Sequence, residues 1–241
     1  MIDIIGTIAA ATALAVLLAM VVCTIPVGLT WRLTIAAIGG AWVGVAIAVA
    51  ASGALAAPAL LGVLFASPLV AVAGLALAFP AVRGALLAIP LPLVIGVNFF
   101  RLLGAEFLVL ASVGRLSGPF PFSAGWGDIV TGALAIPVAI LATRVRANDA
   151  RILAWSAFGT LDLAVAMLLG ITSANGSPLQ LIHAGVGSGA MQTLPWSLVP
   201  TVLVPLFLIG HGIVFAQARA TSGKHARVYT EARSATLSRA L

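Results

Sequence analysis

Residues 91–113 read LPLVIGVNFFRLLGAEFLVLASV, a run in which only Asn98, Arg101, Glu106 and Ser112 carry polar side chains. At about 1.5 Å of rise per residue, an α-helix of this length covers the roughly 30 Å hydrocarbon core of a bilayer. A soluble surface helix would keep a polar face for water. An inert membrane anchor would not carry an arginine near its middle, where a charge costs at least about 2.5 kcal/mol. The stretch therefore predicts a membrane-spanning helix in a bundle whose interior receives Arg101 and Glu106.

Working outward, six further apolar runs appear at Ile4–Cys23, Leu33–Ala51, Ala59–Phe79, Trp126–Val145, Ile152–Thr172 and Leu198–Gln217. Together they predict an all-α integral membrane protein, a bundle of about seven transmembrane helices over residues 1–218, followed by a basic tail at 219–241. A six-span alternative arises if Ala59–Phe79, interrupted by Pro68, only dips into the bilayer. The segment Ala81–Ile89, between Pro80 and Pro90, reads as an interfacial turn of helix. Composition agrees: 62% of the 241 residues are hydrophobic and the mean hydropathy is +1.20, against roughly 45–50% apolar in soluble domains. The first run lacks a basic leader and a small-residue cleavage site, so it reads as a span and not a signal peptide.

The basic residues are unevenly placed. Ten of them (Arg32, Arg83, Arg144, Arg146, Arg151 and the five of the tail) fall in odd-numbered connections or after the last span, against Arg115 alone in the even-numbered ones. The positive-inside rule then places the N-terminus outside and the C-terminus in the cytoplasm, in a bacterial cytoplasmic membrane. The net charge of +6 flanks spans and forms no stripe with interleaved aromatics, which excludes nucleic acid as a partner. The basic tail is expected to lie along the anionic inner leaflet. Cys23 is the single cysteine, so no intrachain disulfide forms.

Spans one to three are rich in Ala, Gly and Val. Their Gly40 and Gly44 form a small-xxx-small pair that permits a homodimer. No internal repeat supports an inverted-repeat transporter. The glycine-rich connection Ser173–Pro195 reads as a flexible lid or a re-entrant loop.

Spans four to seven hold the candidate site residues Asn98, Arg101, Glu106, Asp128, Asp162 and His211. Arg101 and Asp162 come out at matched depth and predict an ion pair, read either as glue between helices or as a functional clamp. Asn98, three residues before Arg101, shares its face. Glu106, five residues after, does not. Asp128 follows the turn Gly118-Pro-Phe-Pro121 and reads either as a cap on span five or as an ion ligand. His211, flanked by Gly210 and Gly212, would lie near the cytoplasmic end of span seven. Read by depth, these residues form a staggered polar series, as an ion or proton path requires.

Several chemistries are excluded. No span contains lysine, so a retinal Schiff base has no attachment point. His183 and His225 lie outside the spans, so paired haem ligands are missing. No nucleotide-binding, zinc-hydrolase or nucleophile-elbow motif occurs, and spacing gives Ser156 and Ser197 no support as Ser–His nucleophiles. The leading expectation is a small secondary transporter or an ion- or proton-conducting protein, with a small molecule or ion as substrate. An alternative is an intramembrane enzyme or redox protein binding haem or a lipid-soluble substrate near His211, the ligand or base, with Phe99, Phe100, Trp155 and Phe158 forming a pocket around Arg101 and Asp162. A further alternative is an assembly or regulatory subunit. The cofactor stays unassigned.

Overall fold

The computed structural model describes the backbone of residues 1–24 and 27–239 and, apart from positions 21, 58 and 223–239, their side chains. The basic side chains of the tail from Lys224 onward, and the expectation that they meet a lipid surface, lie outside the described side chains. The chain is helical throughout, with no strand among the described residues, and seven of its helical segments are long and apolar enough to cross a membrane. This is the architecture of a multi-pass membrane protein. Large apolar side chains such as Ile38, Val70, Leu77, Leu161 and Leu168 point outward, as they do when lipid replaces water around a bundle.

The first three spans are α1 (Ile2–Thr24), α2 (Leu29–Ala51) and α3 (Pro58–Ala78). Pro68 sits inside α3 without ending it, and the segment Ala59–Ala78 is one of the seven long and apolar enough to cross. The short α4 (Pro80–Leu87) occupies the position read as an interfacial turn. Span four is not one uniform helix: α5 (Leu91–Gly96) passes into an eight-residue 3-10 helix, Val97–Gly104, and then into α6 (Ala105–Ser112). Spans five and six are α7 (Phe120–Ala142) and α8 (Ala150–Thr172). Span seven begins with a π-helical turn, Val199–Leu203, and continues as α9 (Val204–Arg239).

The 3-10 stretch follows from what the sequence must bury. Ile95, Asn98, Arg101, Gly104, Phe107 and Leu110 are all buried, at a strict spacing of three. An α-helix of 3.6 residues per turn would rotate those positions steadily around its axis. A 3-10 helix of three residues per turn stacks Asn98, Arg101 and Gly104 on one face, with Ile95 of α5 and Phe107 and Leu110 of α6 buried on either side. That face packs on α7, where Gly132 approaches so closely that a Cβ would stand 2.8 Å from the Leu102 backbone nitrogen. Backbone cannot yield as a side chain can. Gly132→Ala is therefore expected to destabilise the protein by about 1–3 kcal/mol, measured as thermal unfolding in detergent.

The two ends of the bundle differ. At the end carrying the N-terminus, Asp3 pairs with Arg115 at 2.5 Å and accepts from Trp196 Nε1 at 2.8 Å. The Trp196 ring lies against Gly6. The connection Ser173–Pro195 is held down: Ser188 Oγ donates to Gly170 O at 2.6 Å, and Gly187 N donates to Ser117 Oγ at 2.7 Å. Gly187 adopts φ 58° there, a left-handed conformation that favours glycine. This connection is a bonded cover rather than a loose lid. At the opposite end, Arg32 Nε donates to Val27 O at 2.8 Å, and Gln217 Nε2 donates to Ile89 O at 2.8 Å. Asp149 caps α8 by accepting from Arg151 N at 3.0 Å, and the Arg151 guanidinium holds its carboxyl below the ordinary range. A Cβ at Gly40 or Gly44 would meet nothing within 4 Å.

Candidate functional site

Arg101 projects from the 3-10 face into the middle of spans four to seven and is 1% exposed. Its guanidinium is shared among three helices. Nε donates to Asp128 Oδ1 of α7 at 2.6 Å, Nη2 donates to Asp162 Oδ2 of α8, and Nη1 donates to the Gly159 carbonyl at 3.1 Å. The same Nη1 stands 3.5 Å from His211 Nε2 of α9. A guanidinium only donates, so the ring accepts from it at Nε2 in the tautomer that carries its proton on Nδ1. Nδ1 is 2.9 Å from Ser156 Oγ, which accepts that proton's hydrogen bond. The imidazole is also flanked by Trp155, with ring centroids 5.2 Å apart. Trp155 in turn donates from Nε1 to Thr131 O at 3.1 Å.

The anticipated Arg101–Asp162 pair forms, and Asn98 shares Arg101's face. Asn98 Nδ2 donates to Val94 O at 3.1 Å, while its buried Oδ1 has no partner. Asp128 is not a cap. Span five starts at Phe120, not Trp126, so Asp128 lies about 12 Å into α7 by helical rise, in contact with Arg101. His211 likewise lies mid-span, because span seven runs from Val199 to Ser222 rather than ending at Gln217. The staggered series thus collapses into one cluster of Arg101, Asp128, Asp162 and His211. Glu106, as its position five residues on predicts, stays apart and half-buried. It meets the cluster across a cavity of about 30 Å³ that Arg101 and Asp128 also line, room enough for a bridging water.

Other expectations fail. Phe99 and Phe158 are exposed on the bundle surface and do not wall a ring-binding pocket around Arg101. Both ring nitrogens of His211 are engaged, so service as a haem ligand would require giving up one of those bonds. Gly210 and Gly212 permit no unusual approach: a Cβ would meet Val94 at an ordinary 3.7 Å at the first and nothing at the second. Ser156, dismissed on spacing, is hydrogen-bonded to His211. It is fully buried and lines neither cavity described here, so it positions the imidazole and has no open path to a substrate.

The glycines that crowd the cluster lie elsewhere, on span four, α7 and α8. A Cβ at Gly104 would strike Asp128, one at Gly127 would strike the Asp162 carboxylate, and one at Gly159 would lie 2.6 Å from His211 Nε2 and 2.9 Å from Arg101 Nη1. Each bare backbone makes room for a charged or polar group of the neighbouring helix.

Electrostatically, one guanidinium faces two carboxylates and a neutral imidazole. The cluster carries one negative charge in excess when both carboxylates are ionised, and a proton or a monovalent cation restores neutrality. Both cavities that Asp128 lines lie toward one end of the bundle. The small cavity beside Glu106, and a larger one of about 470 Å³ covered by Leu179 and Met191, both reach Asp128 from the end bearing the N-terminus. Toward the opposite end, Ile95, Ala135, Ile152, Trp155 and Val214 form a buried apolar plug.

No curated protein and no solved structure matches the chain. A family model matches residues 58–219, which takes in the whole cluster and leaves out α1 and α2. The chain belongs to the family described as Domain of unknown function (DUF8737).

Proposed function

We propose that this chain is a small secondary transporter, or an ion- or proton-conducting protein, of the bacterial cytoplasmic membrane, with its N-terminus outside and its C-terminus in the cytoplasm. The observation that carries the reading is the shared guanidinium. A purely structural ion pair needs one carboxylate per arginine, and a second buried carboxylate is costly unless something positive joins it. A site that takes up and releases a proton or cation supplies that charge intermittently. The position of both cavities toward one end supports the transporter form, since alternating access requires a site reached from one face at a time. The basic residues at the plugged end support the orientation. Glu106, across its small cavity, is the relay between the outer face and Asp128.

The test is flux into proteoliposomes under an imposed proton gradient, read by an entrapped pH dye, with Na⁺ and K⁺ gradients run in parallel. Asp162→Asn is expected to lower flux at least tenfold with the protein still expressed and folded. Glu106→Gln is expected to lower it while leaving thermal stability unchanged. Wild-type flux in both variants would refute the reading.

A further inference from the structure

The cavity of about 470 Å³ is larger than any proton or metal ion needs and falls in the range of about 300–1,000 Å³ typical of small-molecule sites. Its walls come from α3, α6, α7, α8, the π-helical turn, the start of α9 and the cover at 173–195. They are almost wholly apolar: Phe107, Phe120, Leu163, Met167, Met191 and Val204 are representative. Asp128 is the one ionisable residue among them. It stands at the inner end, with Oδ1 bonded to Arg101 Nε at 2.6 Å. The cavity therefore joins a long apolar body to a carboxylate belonging to a cluster that is short of one positive charge when both its carboxylates are ionised. No cationic side chain lines it, so a phosphate or carboxylate head would enter unpaired, and burying such a head is costly.

We propose that this cavity binds a free long-chain amine, with its protonated primary amino group on Asp128 and its alkyl body in the apolar chamber. The ammonium supplies the missing charge and a donor to the carboxylate, and the chain replaces void with apolar contact. Two methionines, flexible and polarizable, suit a body of variable shape. The proposal rests on the charge balance used above and does not require that the amine be carried across the bilayer.

The experiment is equilibrium binding of tritiated dodecylamine to the purified full chain in phosphatidylcholine nanodiscs, with dodecanol and dodecanoate as competitors. The amine is expected to bind at least tenfold more tightly than either. Asp128→Asn is expected to abolish that preference while retaining dodecanol binding. Ala166→Trp, which fills the cavity and replaces no residue of the cluster, is expected to weaken all binding at least tenfold and keeps the test decisive if Asp128→Asn fails to fold. Dodecanoate binding as tightly as the amine, or unchanged binding in Ala166→Trp, would overturn the site. Displacement of the amine by an equal concentration of phosphatidylethanolamine would overturn the assignment to a free amine. Wild-type binding with no flux in the proteoliposome assay would refute the transport reading alone; flux with no amine preference would refute this site alone.

Discussion

Replacing Arg101 by methionine is expected to destabilise the protein by about 3–5 kcal/mol, enough to cost most of the folded yield. The size follows from what remains. Asp128 and Asp162 would face each other across the space the guanidinium filled, two buried carboxylates without a cation, and the Gly159 carbonyl would lose its donor. Lysine should rescue little, because one ammonium on a flexible stem cannot reach Asp128, Asp162 and Gly159 in the planar fork that Arg101 offers. Neutralising the whole set should behave differently. Buried ion sets exchanged together for neutral groups of similar volume are often neutral or stabilising, so Arg101→Met with Asp128→Asn and Asp162→Asn is expected to recover most of the lost stability. Thermal unfolding of the single and triple variants in the same detergent measures both effects. A single variant as stable as wild type would mean that the cluster does not form as described.

The second large effect is expected at Gly127. A Cβ there falls on the Asp162 carboxylate, so α7 and α8 must part or Asp162 must leave Arg101. Overpacking alone costs about 1–3 kcal/mol, and a broken buried pair adds to it, so Gly127→Ala is expected to lose about 3 kcal/mol or more. Gly44→Ala is the internal control. Its Cβ would meet nothing within 4 Å, and removing a helix-interior glycine is worth roughly 0.5–1 kcal/mol. Opposite signs in the two unfolding measurements are expected; equal effects would show that the glycines near the cluster set no distance.

The parts of this fold that the sequence made legible are those encoded in hydropathy and in charge placement. Seven spans are readable because lipid demands long apolar runs whatever the neighbours do. The Arg101–Asp162 pair is readable because matched depth depends only on counting residues from the span ends. Asp128 and His211 were misplaced for the same reason: the count began at the wrong residue. The turn read at Gly118–Pro121 hid the start of α7, although a proline in the first helical turn is well tolerated. Gln217 looked like the end of a helix that continues past it.

The three-residue spacing of Ile95, Asn98, Arg101, Gly104, Phe107 and Leu110 is present in the sequence, and it was the available signal for a 3-10 helix. Among alternating apolar residues it was masked, because most positions of a membrane span are apolar whichever way they face. Gly104, Gly127 and Gly159 were likewise visible only as composition. A glycine's partner is across the interface, and single-chain spacing does not say which helix that is. Ser156 was missed because its link to His211 spans 55 positions.

The central claim is that the Arg101–Asp128–Asp162 charges carry flux rather than merely hold helices together. It is tested most directly by flux through proteoliposomes containing the folded triple variant Arg101→Met/Asp128→Asn/Asp162→Asn. With packing kept and the charges gone, flux is expected to be indistinguishable from that of protein-free vesicles. Wild-type flux from that variant would contradict it and leave the cluster as structural glue.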